Sequence, residues 1–384
     1  MHLSRIFTLK NLLPVLAFGV FLLPSAPVKA FQAQEEPAGH EVQHEQEGVQ
    51  EEEEFDAASA IMHHIADAHE WHIIGHTAIY LPVILYTEDG LQTFSSSHFY
   101  HHPQEVTYSA EGKETTETWY KHEGFGLFHE KIYKLDENGA LNLDEAGHPL
   151  NERVLDFSIT KNVAAMLLSV ALLLLIFCSM AGAYKKRKGK APKGLQSALE
   201  PIVLFVRDEI ALPNIGHQYA RFMPFLLTVF FFIWINNIMG LIPFFPGGAN
   251  VSGNIAFTFV MGTITFLITT FNGNRNYWKH IFAPHVPVWL YPIMIPVEII
   301  SVFSKPFALI IRLFANITAG HIVVLSLVSL IFIFKTIAVS PVSVIFVLFM
   351  DVLELLVGFL QAYIFTLLSA LFIGMAIAEH AEEH

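Results

Sequence analysis

Charge is scarce in this chain. Only 15% of its 384 residues are Asp, Glu, Lys or Arg, against about 25% in an ordinary soluble domain. Apolar residues make up 53%, 34 of them Phe, and the mean hydropathy is +0.47. A fully soluble enzyme, a nucleic-acid-binding protein and a disordered scaffold are excluded on that ground. Cysteine is nearly missing as well. The one residue, Cys178, lies inside an apolar run, so no internal disulfide framework can form. A phosphate-cradling loop of the G-x-x-x-x-G-K-S/T type is also missing, which places nucleotide chemistry outside this chain. No catalytic site and no cofactor are expected.

The charge that is present is split by region. Residues 31–158 hold 26 Asp/Glu against 5 Lys/Arg, and residues 159–384 hold 14 Lys/Arg against 9 Asp/Glu. The formal net charge of −13 therefore averages an acidic water-soluble part and a mildly basic lipid-soluble part. Residues 1–30 read as a signal peptide: Arg5 and Lys10, a short apolar core Leu12–Leu23, then the small-x-small site Val28-Lys29-Ala30. A retained anchor helix is the alternative. Residues 31–60, with ten Asp/Glu and no Lys/Arg, form a self-repelling acidic tract expected to be disordered. Residues 61–158 carry turn signals at Glu88-Asp89-Gly90 and Glu137-Asn138-Gly139 between short apolar runs, which suggests a small extramembrane domain with some β structure.

From residue 159 onward the pattern is that of membrane spans. Asn162–Ala183 is uncharged and is followed by Lys185-Lys186-Arg187-Lys188-Gly189-Lys190. The positive-inside rule puts that cluster, and Lys193 after it, in the cytoplasm. The signal peptide implies the same orientation, with the acidic domain outside. Leu199–Gln218, which mixes Arg207, Asp208 and Glu209 with apolar residues, fits a helix on the cytoplasmic membrane face. Phe222–Phe245 and Ile255–Phe271 are further spans, and Asn272–His280 is expected to be a basic cytoplasmic loop. Two apolar stretches are too long for one upright crossing. Phe307–Phe334 and Val342–Ala378 would extend about 42 and 55 Å as helices, against a hydrocarbon layer of about 30 Å. Each is either one strongly tilted helix or a hairpin, and the lack of an internal turn proline favours tilt. The expected fold is an all-α multi-pass membrane protein of about five membrane helices, the last two long and strongly tilted, with the small N-terminal domain added.

Ionisable side chains in these stretches are few and costly, about 3 kcal/mol each at the bilayer centre. Lys305 and Lys335 lie near the ends of apolar runs and can snorkel to the surface. Glu298, Arg312, His321 and Glu354 cannot. Arg312 and Asn316 share a helix face, and His321 points to the other side. Asp351, Glu354 and Gln361 line one polar stripe. An acid–imidazole–amide set beside a permanent cation suits a proton relay that the guanidinium interrupts. A purely structural Arg–Glu pair is the alternative reading.

Glu298-Ile-Ile-Ser301-Val-Phe-Ser304-Lys305-Pro306 followed by Arg312-Leu-Phe-Ala315-Asn316-Ile-Thr-Ala319-Gly320-His321 resembles the signature of subunit a of the F-type ATP synthase. So do Asn236-Asn237-Ile-Met-Gly240-Leu-Ile-Pro243, Gly358-Phe-Leu-Gln361-Ala-Tyr-Ile-Phe365 and the ending Ala378-Glu379-His380. The resemblance runs from about residue 160 to the C-terminus. It implies a proton-channel stator subunit in a bacterial inner membrane, working against a ring of c subunits and held by b-type peripheral stalk subunits. Arg312 would face the ring carboxylate and separate two offset half-channels, with Asn316 and Gln361 as its polar neighbours. Glu298 would serve the cytoplasmic half-channel, and His321 with Glu354 the outer one. Ala315 stands where the family commonly has Gly. Asp351 is an extra acid, either feeding the outer half-channel or lying at the water interface. The long acidic N-terminal region has no counterpart in that signature.

His63, His64, His69, His72 and His76 crowd one window of that region. On a helix His69, His72 and His76 would share a face, as metal ligands often do, although a solvated polar helix accounts for them more simply. A divalent-metal transporter with an extracellular His-rich domain is the alternative function, and the cation at Arg312 argues against it.

Overall fold

A computed structural model describes residues 61–378, apart from 63–64, 75–76, 89, 111–112, 145, 188–189, 243–244, 285 and 335–339. The signal segment, the acidic tract, His63, His64, His76, Lys335 and Glu379-His380 lie outside the described residues.

The N-terminal part is antiparallel β structure. β1 (Glu70–Ile74) pairs with β2 (Thr77–Tyr80), and β3 (Pro82–Thr87) with β4 (Gly90–Ser95). β5 (Pro103–Ala110), β6 (Lys113–His122), β7 (Phe125–Phe128) and β8 (Lys131–Lys134) form a meander, and β9 (Leu155–Asp156) returns to pair with β3. Both sequence-predicted turns are present. Gly90 opens β4 at φ 105° and Gly139 sits at φ 70°, values that only glycine adopts without steric cost. Val83, Leu85, Phe99, Phe125, Leu127 and Ile132 form the core between the sheets.

The histidine window departs from expectation. Of its described histidines, His69 lies in the irregular stretch that leads into β1 and His72 within β1, so the two share no helix face. The reason is a period of two in the sequence: Trp71 is buried and His72 exposed. His72 lies 3.0 Å from Glu70 in solvent. His69 turns inward instead, 1% exposed, with Nε2 3.3 Å from Asp156 and Nδ1 3.7 Å from Glu130. Among the described residues no group of three or more His, Cys, Asp or Glu is placed to hold a metal ion. Burial by itself would lower the imidazole pKa, but the Asp156 and Glu130 carboxylates outweigh it and hold His69 up at about 9. Because that folded value exceeds the ordinary 6.5, the stabilisation is complete below pH 6.5 and is lost as pH rises through about 9. Thermal unfolding of the β domain, followed by circular dichroism, is therefore expected to lose about 3 kcal/mol over that interval. His69→Gln should flatten the dependence. An unchanged slope in that variant would rule His69 out as its source.

The helical part begins with α1 (Lys161–Lys186). α2 (Leu195–Phe205) continues through a π-helical stretch, Val206–Ala211, and a last turn, Leu212–Ile215. The Leu199–Gln218 segment expected on the membrane face is not simply peripheral. Val203, Val206, Ile210 and Ala211 are buried in the helical core, and this stretch packs on α3 (Tyr219–Leu241) and α7 (Ser340–Ile377). Between them lie α4 (Ile255–Asn272), α5 (Arg275–Phe282) and α6 (Tyr291–Ile333). Among the described residues five helical stretches are long and apolar enough to cross a membrane. α3 lies innermost, with Phe230, Phe231, Phe232 and Ile233 almost fully buried.

Two further expectations change. The residues 272–280 form a cap and helix rather than a loop: Asn274 accepts a hydrogen bond from Tyr277 N at 2.8 Å, the capping geometry that starts α5. α6 starts well before Phe307, running 43 residues through Pro296 and Pro306. Proline removes one backbone donor without forcing a break where neighbouring helices support the chain. α7 is one helix of 38 residues, continuous through Gly358 and Gly374. At about 64 and 57 Å, α6 and α7 cross a layer of about 30 Å only obliquely.

Candidate functional site

All seven residues singled out in the sequence lie on α6 or α7, which pack against each other. α6 carries Glu298, Arg312, Asn316 and His321, and α7 carries Asp351, Glu354 and Gln361. The helical rise separates Glu298 from Arg312 by about 21 Å and Arg312 from His321 by about 14 Å. One helix thus spaces two polar sites with a cation between them.

At the end nearer the β domain, His321 Nδ1 lies 3.2 Å from Glu354 Oε1, and the Glu354 side chain is 5% exposed. Gly320 leaves room for the approach, and Gly240 borders the imidazole. A Cβ on Gly320 would meet Glu354 Oε1 at 3.0 Å, and one on Gly240 of α3 would sit 3.6 Å from His321 Nε2. Asn237, also on α3, donates to the Gly358 carbonyl at 2.9 Å, fixing α7 one turn beyond Glu354. Asp351 is half-buried beside this pair.

At the opposite end, Glu298 Oε2 lies 3.7 Å from His280 Nδ1 on α5. Both line a cavity of about 280 Å³ with Asn276, Tyr277, Lys305 and Met375. A smaller adjoining pocket continues past Lys305 to Thr265 and Thr269 of α4, and Thr265 Oγ1 lies 3.4 Å from Ser369 Oγ of α7. The two pockets share Tyr277, Val302, Lys305 and Met375, so hydroxyls of α4 lie next to the cavity that holds the carboxylate. The C-terminal end of α7 is tied to this site, since Asn274 donates to the Ala378 carbonyl at 2.7 Å.

Between the two sites Arg312, Ala315, Asn316 and Ala319 form an exposed face of α6. Among the described residues Arg312 and Asn316 make no hydrogen bond or ion pair within the chain. Gln361 is buried on α7, 6% exposed. His321 and Glu354 are thus brought together and Glu298 is given a partner, while Arg312 and Asn316 are left facing outward. His280, Tyr277, Thr265 and Ser369 escaped the sequence reading. The only local signal for the first two was the Asn274 cap, and the hydroxyl pair joins residues 104 positions apart.

The same residues fall inside a family match. The model described as ATP synthase A chain covers residues 163–374, and one described as a domain of unknown function covers residues 60–157. ATP synthase subunit a of Chloroherpeton thalassium is 51% identical over 235 residues, 59% of this chain and 70% of that protein. ATP synthase subunit a 2 of Chlorobaculum tepidum is 49% identical over 238 residues, 60% of this chain and 66% of its own length. Subunit a of Myxococcus xanthus is 47% identical over 244 residues, 61% and 78%. With more than half of the chain matched and five apolar helices to place in a bilayer, this multi-pass membrane protein belongs to the ATP synthase A chain family.

Proposed function

We propose that this protein conducts protons for an F-type ATP synthase through two offset half-channels that never meet within the chain. Its partners are a ring of c subunits against the exposed Arg312 face, b-type stalk subunits and the lipid bilayer. The chemistry of ATP belongs to other chains. The β domain lies outside the cytoplasm of a bacterial inner membrane, and the basic segment at 185–193 and the C-terminus lie inside. A proton arriving from outside is passed through His321 and Glu354 to a ring carboxylate. After the ring turns, Arg312 favours the ionised carboxylate, and the proton leaves by the Glu298–His280 cavity. Arg312 cannot itself carry a proton, since a guanidinium has no proton to give up in a protein, so no direct path joins the two sides.

The observation that carries this reading is the exposed guanidinium, without a partner among the described residues, between two polar sites on α6. A sided titration tests it in inverted vesicles, whose lumen corresponds to the outside. Glu298→Gln is expected to slow proton-driven ATP synthesis at least about tenfold and to alter its dependence on external pH. Glu354→Gln should alter the dependence on luminal pH instead. If both variants change the response on the same side, the two-channel arrangement is wrong.

A further inference from the structure

The β domain has no assigned part in proton transfer, yet its first described segment reaches into the helical core. Trp71 is 5% exposed and belongs to the same buried cluster as α3, α4, α6 and α7 residues. Its indole Nε1–H donates to the Gly247 carbonyl at 2.9 Å, across 176 residues of sequence. Its ring meets Phe245 edge-on at 5.1 Å. Four residues earlier, Asp67 accepts hydrogen bonds from Asn162 N and Thr160 Oγ1, each at 2.9 Å, at the start of α1. Asp67 also lies 3.5 Å from Asn254 Nδ2, and Asn254 caps α4. Lys161 N donates to the Ala68 carbonyl at 2.8 Å. The segment 67–71 is therefore fastened to α1, to α4 and to the connection between α3 and α4.

That connection borders the proton site. It has no regular structure, yet Gly247, Ala249, Asn250, Val251 and Ser252 are buried. The place a Cβ would take on Gly240 lies 3.2 Å from the Ala249 carbonyl and 3.6 Å from His321 Nε2, so this connection and the imidazole flank the same glycine. Further along, Thr318 Oγ1 lies 3.4 Å from the Gly253 carbonyl, one turn before His321. Nδ1 of His321 is turned to Glu354, which leaves Nε2 on the side that the connection covers. An irregular buried segment keeps its place only through such ties, and a buried Trp contributes a large rigid area along with one directional bond.

We infer that the β domain is a positioning element for proton uptake: Trp71, with Asp67 behind it, holds the 245–254 connection against Gly240 and so fixes His321 opposite Glu354. Trp71 touches neither proton donor nor acceptor and acts through the connection alone. The titratable groups that face His321 are Glu354 and, beyond it, Asp351, both from α7. α3 presents Gly240 there.

The inference rests on the reading of His321 and Glu354 as the outer half-channel, and the test separates the two. Complete synthase would be assembled with each variant in inverted vesicles, and ATP synthesis followed while luminal pH is varied at fixed external pH. Trp71→Ala is expected to lower the rate about fivefold, the scale of one buried hydrogen bond and its contacts. It should also move the luminal-pH midpoint by about half a unit or more, leaving the response to external pH as in the parent. Trp71→Phe keeps the ring beside Phe245 but has no N–H, so a smaller shift in the same direction is expected. If Trp71→Ala fails to assemble, Trp71→Phe decides alone. Assembled Trp71 variants with the parent midpoint and rate would overturn the inference. His321→Ala serves as the separate control: normal synthesis in that variant would remove the half-channel reading itself, whatever the Trp71 variants do.

Discussion

Replacing Arg312 with Ala or Gln is expected to abolish proton-driven ATP synthesis in membrane vesicles while the complex still assembles. Arg312 is exposed on α6 and makes no hydrogen bond or ion pair among the described residues, so its removal leaves no partner stranded in the fold. The whole effect should fall on what the side chain does to a passing carboxylate. Two unit charges about 4 Å apart interact by about 4 kcal/mol at an effective dielectric of 20, and that energy corresponds to about a thousandfold in rate. Without the guanidinium the ring carboxylate would stay protonated as it passes, and rotation would no longer be coupled to release on the Glu298 side. Arg312→Lys keeps the charge but loses the planar fork and is readily deprotonated when buried, so it should retain only a small residue of activity. The measurement is ATP formed per unit of assembled complex under an imposed pH gradient. Near-normal synthesis by Arg312→Ala would end the proposed role.

Much of this arrangement could be read from residue types and spacing, because helices and charges in lipid are constrained locally. Uncharged runs such as Asn162–Ala183 locate a span by length alone. The length of Val342–Ala378 marks an oblique helix, and the structure has Ser340–Ile377 as one element. Spacing on α7 put Glu354 and Gln361 on one stripe, and both are buried there. The failures follow from non-local structure. Pro306 looked like the boundary of α6, but a proline's missing donor is tolerated where α4 packs closely alongside, with a Gly262 Cβ due to lie only 3.3 Å from the Pro306 carbonyl. His69 looked like part of a polar helix, but its environment is made by Glu130 and Asp156, far along the chain. The period of two across Trp71 and His72 is visible in the sequence, yet so short a run competes poorly with the helical spacing of His69, His72 and His76. Trp71–Gly247, Asp67–Asn254 and Glu298–His280 have no local signature. They arise because two parts of the chain that fold by different rules meet at one end of the helical bundle, and because α5 folds back beside α6 at the other.

Exchanging His321 and Glu354 for each other, His321→Glu together with Glu354→His, should restore much of the synthesis that either single change removes. The pair lies at 3.2 Å between two helices that meet closely there, with Gly320 allowing the carboxylate side chain to lie against α6. A single change to Glu at 321 puts two acids face to face, which disfavours ionisation of both. A single change to His at 354 puts two imidazoles in the same low-dielectric space. Each single variant therefore loses the acid–imidazole couple and is expected to keep about a hundredth or less of the parent rate, the scale of a lost proton-transfer partner. The double variant rebuilds the couple in reverse order, and its rate should exceed both by about tenfold or more. Side-chain length sets the limit to recovery, because Glu at 321 must reach across from beside Gly240 and His at 354 must fit against Gly320. Rates of the three variants under one imposed pH gradient give the coupling directly, as the departure from additivity in a double-mutant cycle. A double variant no better than the worse single variant would show that His321 and Glu354 act apart, and the outer path would then have to be drawn through Asp351.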